Sequence, residues 1–166
     1  LNALPNVTQS ALSDVCVDAP SFALSGGNPV GGTYSGVGVT ANNFDPAIAG
    51  AGLNTIAYLF TDVNGCSNFD STKINVNALP IVTLSALTKV CIDAVAFVLS
   101  GGNPVGGTYS GVGVSAGNFD PLIAGLGVHA ITYSYTDVNS CSNAKTKNIT
   151  VNALPNVTLA AQNPVC

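Results

Sequence analysis

LSGGNPVGGTYSGVGV, running from Leu24 to Val39, returns unchanged from Leu99 to Val114. A sixteen-residue identity at an offset of 75 makes the 166-residue chain a tandem array, which builds length or many contacts rather than one active site. Working outward, Asn-Ala-Leu-Pro opens at Asn2, Asn77 and Asn152, and two-thirds of the positions between Asn2 and Val76 recur between Asn77 and Val151. The organisation read from this period is a first repeat over 1–76, a second over 77–151, and the start of a truncated third over 152–166. Proline at each boundary stiffens the joint and blocks strand pairing through it, so units are expected to stack end to end as a semi-rigid rod.

No stretch has helical periodicity, while β-branched and aromatic residues alternate between turn clusters, which predicts an all-β fold. Val7 to Ser10 and Ser21 to Ser25 read as strands, the latter with Phe22 and Leu24 on one face. Gly26 to Gly31 reads as a turn, Gly32 to Gly36 as its return strand carrying Tyr34, and Gly36 to Gly38 as a bulge or close backbone approach. Asn43-Phe44-Asp45-Pro46 and its copy at Asn118 give a loop anchored by one aromatic. Ile131, Tyr133 and Tyr135 alternate with Thr132, Ser134 and Thr136, the pattern of a sheet with one wet face; Ile56, Tyr58 and Phe60 take the inward places in the first copy, leaving Leu59 outward. Six or seven short strands per 75 residues predict a sandwich of two antiparallel sheets.

Only 7% of residues are charged, against about 25% in ordinary soluble domains. Such a surface repels its own copies weakly and suits side-by-side packing or glycan decoration. A net charge of −4, with no Arg, excludes a phosphate-binding surface and so nucleic acid. No apolar run approaches the ~20 residues of a membrane-spanning helix. The chain opens on Leu1 rather than Met and carries no signal peptide, so it reads as a piece of a longer processed protein.

The order V-C, F-x-L-S-G-G-x-P-x-G-G-T-Y-S-G-x-G-V, F-D-P-x-x-A-G-x-G, I-x-Y-x-x-T-D-x-N-x-C-S-N and I-x-V, covering Val15 to Val76 and Val90 to Val151, resembles the immunoglobulin-like repeats of large Bacteroidota surface adhesins, gliding-motility-type adhesins among them. The resemblance implies tandem immunoglobulin-like β-sandwich domains in an extended rod, exported by a type IX pathway. It also implies an extracellular, cell-surface protein acting as a fibre, stalk or surface filament, or as a multivalent adhesin for a carbohydrate or other surface ligand. Partners are then further repeats of the same chain, copies of itself, or a surface glycan.

Five cysteines fall on the 75-residue lattice, with Cys16, Cys91 and Cys166 at one phase and Cys66 and Cys141 at the other. Two pairings respect the repeat: Cys16 with Cys66 and Cys91 with Cys141, leaving Cys166 a partner outside the chain, or Cys66 with Cys91 and Cys141 with Cys166 across the junctions. The first is favoured because it makes each small unit self-sufficient, adding roughly 4 kcal/mol per loop, and because it is the pairing the resemblance implies. Disulfides indicate an oxidising compartment, and zinc lacks both C-x-x-C spacing and a second His.

Asp62, Asn64, Asp137 and Asn139 are weak calcium candidates whose competing reading is an Asx turn; no other cofactor is expected. His129, which replaces Asn54 of the first copy, has no nucleophile or acid–base partner in the sequence, so no catalytic residue is assigned. Asp45 and Asp120 read as turn formers, and the glycine-rich stretch lacks the Lys-Ser/Thr and helix of a phosphate loop. Ser71 and Thr72, in Asp-Ser-Thr, are candidate glycosylation sites, and Asn6, Asn148 and Asn156 stand in N-x-T sequons. The turn residues Asn28, Pro29, Asn103 and Pro104 are candidate self-contact positions between rods.

Overall fold

The fold was obtained as a computed structural model, and it describes residues 2–159. The chain divides into two compact units. One takes the described residues through Pro80 together with Thr136–Ser142, and the other takes Ile81–Tyr135 and the described residues from Asn143 onward. The architecture is nearly all β, at 46% strand and 5% helix, as the alternating pattern predicts.

The spine of the first copy is a long hairpin of β8 (Gly52–Thr61) and β9 (Ser67–Asn77), paired from Gly52↔Val76 to Thr61↔Ser67. Alternation explains its burial, because Ile56 and Tyr58 on β8 and Ile74 and Val76 on β9 turn inward while their neighbours stay partly or fully wet. The shorter strands are β1 (Thr8–Gln9), β2 (Val15–Cys16), β3 (Phe22–Ala23), β4 (Gly27–Asn28), β5 (Thr33–Ser35), β6 (Val39–Thr40) and β7 (Asn43–Phe44). They complete a four-stranded sheet ordered β2-β9-β8-β5, a three-stranded sheet ordered β3-β7-β6, and a two-stranded ladder of β1 with β4. Leu24, Phe44, Ile56, Ile74 and Val76 form the core between them, with Phe22 meeting Phe44 edge-on at 5.7 Å.

A single-turn helix α1 (Pro46–Ala49) links β7 to β8. Asp45 caps it by accepting from the N–H groups of Ala47 and Ile48, and Pro46 stands at the first helical position, where a missing N–H costs nothing. Asp45 is thus a local structure former, in line with the sequence reading.

The second copy repeats this plan with β10 (Thr83–Leu84), β11 (Val90–Cys91), β12 (Phe97–Val98), β13 (Gly102–Asn103), β14 (Thr108–Ser110), β15 (Val114–Ser115), β16 (Asn118–Phe119), α2 (Pro121–Ala124), β17 (Gly127–Thr136) and β18 (Ser142–Asn152). Its sheets are ordered β11-β18-β17-β14, β12-β16-β15 and β10-β13. Leu99, Phe119, Ile131, Ile149 and Val151 make its core.

Several details differ from the sequence reading. Among the described residues each copy has nine strands in three sheets where six or seven strands in two sheets were expected, and α1 and α2 stand where loops were expected. The sheets are not wholly antiparallel, because β2 runs parallel to β9 and β11 parallel to β18. Nor do Gly26 to Gly36 form a hairpin. β4 pairs with β1 and β5 pairs with β8, so Gly26 to Gly32 is a crossing loop between two different ladders. The bracketed glycines do mark a close backbone approach, since a Cβ on Gly38 would stand 2.7 Å from the carbonyl oxygen of Asp45.

Candidate functional site

The repeated stretch closes around one ring. Tyr58, only 2% exposed on β8, packs against Tyr34 of β5 with ring centroids 4.7 Å apart and the planes tilted by 46°. Its hydroxyl accepts the N–H of Gly32 at 2.7 Å and donates to the carbonyl oxygen of Pro29 at 2.7 Å. The hydroxyl of Tyr34 accepts the N–H of Gly27 at 2.8 Å. A Cβ on Gly27 would stand 2.6 Å from atoms of the Tyr58 ring, and one on Gly32 would stand 2.5 Å from its Cζ while pressing on the carbonyl oxygen of Leu59. These glycines are required because the loop backbone lies directly on the aromatic face. Tyr133 is held identically by Gly107 and Pro104, Tyr109 by Gly102, and a Cβ on Gly102 would meet the Tyr133 ring at 2.6 Å.

The candidate self-contact residues fall in this loop. Asn28 and Asn103 are exposed, whereas Pro29 and Pro104 are half-buried, each following a cis peptide bond and giving its carbonyl to the tyrosine. Val30 of the same loop is 85% exposed.

The calcium candidates stand at the tips of the long hairpins. One carboxylate oxygen of Asp62 accepts the N–H groups of Asn64 and Cys66 at 2.8 and 2.9 Å, and Asp137 accepts those of Asn139 and Cys141 at 2.9 Å each. This is the Asx-turn geometry, with Gly65 and Ser140 at positive φ inside it. Among the described residues no group of three or more His, Cys, Asp or Glu side chains gathers to hold a metal ion.

His129 is also a backbone binder. Its Nε2 lies 2.8 Å from the carbonyl oxygen of Gly125, just after α2, so that nitrogen carries the proton there. Asn54 does the same work in the first copy, donating to the carbonyl oxygens of Gly50 and Gly52 at 3.2 and 3.1 Å. On β9, Ser71 is exposed and Thr72 half-buried. Leu59 is 44% exposed, as its outward place predicts, and lies opposite Phe69, 64% exposed, where the second copy has Ser134 and Ala144.

Both expected disulfide schemes are overturned. The bond joins Cys16 to Cys141, with Cα atoms 5.6 Å apart, while Cys66 and Cys91 are free thiols. Cys166 lies outside the described residues. Strand topology rules out Cys16 with Cys66: Cys16 pairs with Asn77 at the end of β9, and Cys66 immediately precedes Ser67 at its start. Eleven residues of strand separate them by roughly 35 Å, whereas a disulfide needs Cα atoms within about 7 Å. Cys91, opposite Asn152, and Cys141, just before Ser142, are kept apart by β18 in the same way. The Cys66–Cys91 and Cys141–Cys166 scheme fails because Cys141 is already bonded and Cys66 and Cys91 are unbonded.

No family model matches the chain, and a search of curated proteins finds no match. Among solved structures, one similar chain is a calcium-stabilised adhesin with which an Antarctic bacterium reaches out and binds ice, at 14% identity and a TM-score of 0.45. Another is a surface glycan-binding protein of the Bacteroides ovatus mixed-linkage glucan utilization locus, at 17% identity and a TM-score of 0.31. Each alignment covers 90% of this chain, which spans about half the length of those structures, 50% and 46% respectively. At these scores the likeness carries no inference about function.

Proposed function

We propose that the chain is part of an extracellular repeat protein whose copies build a fibre, stalk or surface filament, without enzymatic activity. The carrying observation is that the sixteen-residue identity places Gly27, Pro29 and Gly32 against the chain's own Tyr58, and Gly102, Pro104 and Gly107 against Tyr133, while nine of the sixteen residues in each copy are exposed. Part of what the repeat preserves between copies is therefore architecture. The Cys16–Cys141 bond fits an oxidising compartment such as a bacterial cell surface. The carboxylates of Asp45, Asp62, Asp120 and Asp137 all accept backbone N–H groups, which supports turn formation rather than catalysis. Electron microscopy of untreated material tests the reading. Ordered fibres with an axial repeat of one or two units are expected, and isolated strings without order would overturn the fibre.

A multivalent adhesin is the second reading, favoured by the exposed Leu59 and Phe69, an apolar pair with an aromatic face on the wet side of the sheet. Probing a glycan array with one and several copies separates the two, since an adhesin signal rises steeply with copy number.

A further inference from the structure

We propose that Cys66 and Cys91 are the open halves of a covalent ladder, and that each is completed by a further copy of this repeat. Cys66 bonds the Cys16-equivalent of a preceding copy, and Cys91 bonds the Cys141-equivalent of a following one.

Three observations carry this. The bond that is present spans 125 residues, which is one full period of 75 plus the 50 between the two cysteine phases, so it ties one copy to the next rather than closing either. The two unbonded thiols are the repeat-equivalents of the two bonded ones, Cys66 of Cys141 and Cys91 of Cys16, in the same local settings. Cys66 donates its N–H to Asp62 as Cys141 does to Asp137, and Cys91 pairs with Asn152 as Cys16 does with Asn77. Finally, β9 and β18 hold the two cysteines of each copy at opposite ends of an eleven-residue strand, so neither can be satisfied within its own copy. Cys91 is exposed and Cys66 half-buried, open to such a partner.

Between separate chains the contact is heterologous, Cys91 of one copy meeting Cys66 of the next, and a contact of that kind propagates into a line. Bond formation needs an oxidant, a small-molecule disulfide such as glutathione disulfide. The Cys91 thiolate takes one sulfur of it, releasing one glutathione thiol. The Cys66 thiolate then attacks the Cys91 sulfur and releases the second, so two protein thiols are oxidised and one disulfide reduced. The inference is independent of whether the array serves as fibre or adhesin.

The test uses the full chain carrying Cys166→Ser, alone and with either Cys66→Ser or Cys91→Ser, in a glutathione redox buffer on non-reducing gels with peptide mass mapping. The parent should form a reducible ladder of multiples, each single variant should stay monomeric, and mixing the two variants should give one covalent dimer mapped to Cys66–Cys91. In a chain lengthened by one further copy of Asn77 to Val151, the same bond should form within the chain. Single variants that dimerise through like cysteines as readily as the mixture, or a mixture that stays monomeric with Cys16–Cys141 intact by mass, would overturn the proposal.

Discussion

Replacing Tyr58 with Phe removes one hydroxyl and nothing else, and the geometry around it sets the size of the effect. The hydroxyl makes two hydrogen bonds of 2.7 Å, one to the N–H of Gly32 and one to the carbonyl of Pro29. Each is worth about 1 kcal/mol net, and because Gly32 and Pro29 are half-buried, water can re-solvate part of what is lost. The expected destabilisation of the first unit is therefore about 2 kcal/mol. In a domain of 60–100 residues this lowers the melting temperature by about 8–16 °C. Tyr34→Phe, which loses only the bond from Gly27, should cost about half as much. Calorimetry of the full chain gives the shift, and amide exchange locates it: the Gly32 N–H should lose protection while the Gly107 N–H, bonded to Tyr133, keeps its own. An unchanged Gly32 amide, or a Tyr34→Phe variant less stable than Tyr58→Phe, would refute the picture of a loop pinned to this ring.

Gly27→Ala and Gly102→Ala should each cost about 1–3 kcal/mol by urea denaturation, because the new Cβ enters the tyrosine ring, whereas Gly31→Ala, at φ +97° with open space beside it, should show only backbone strain of about 1 kcal/mol. His129→Asn should leave the thermal midpoint nearly unchanged, since Asn54 fills this role in the first copy, while His129→Ala should lose about 1 kcal/mol. Asp62→Ala should destabilise by about 2 kcal/mol through two lost carboxylate bonds, and Asp62→Asn should restore part of that. Millimolar calcium should leave the wild-type midpoint in place if the Asx turn is the whole role of Asp62, and a calcium-dependent rise would return Asp62 and Asn64 to the ligand reading.

Where local chemistry decided the outcome, the sequence was legible. Asp45 before Pro46 was legible as a local turn former, though not as the cap of a single-turn helix too short to show a period, and the alternation of Ile56 and Tyr58 with their neighbours set the buried face of β8. The exposure of Leu59 followed from the same period of two. The glycine-rich stretch was legible as tightly constrained backbone, but not as a crossing loop. Turn chemistry at Gly26 to Gly31 says that the chain bends there, while the partners of β4 and β5 are chosen by strands from elsewhere, β1 and β8. That Tyr58 rather than Tyr34 is the more deeply seated ring could have been suspected from its place in the strongest alternating run.

The cysteines show why phase alone could not settle the pairing. A perfect 75-residue lattice is compatible with bonds inside a copy, across a junction, or one copy further out, and nothing local distinguishes them. The deciding fact is the parallel docking of β2 against the far end of β9, which places Cys16 about 35 Å from Cys66 and leaves no bond inside the copy. Self-sufficiency of a small unit, the argument for the internal bond, is thereby reversed. The first compact unit incorporates Thr136–Ser142 of the second copy, with Cys141 inside it. Cross-linking across 125 residues restricts the unfolded chain by about 5 kcal/mol in the chain-entropy treatment, slightly more than the internal loop would have done. The first copy therefore depends for part of its stability on a segment of the second.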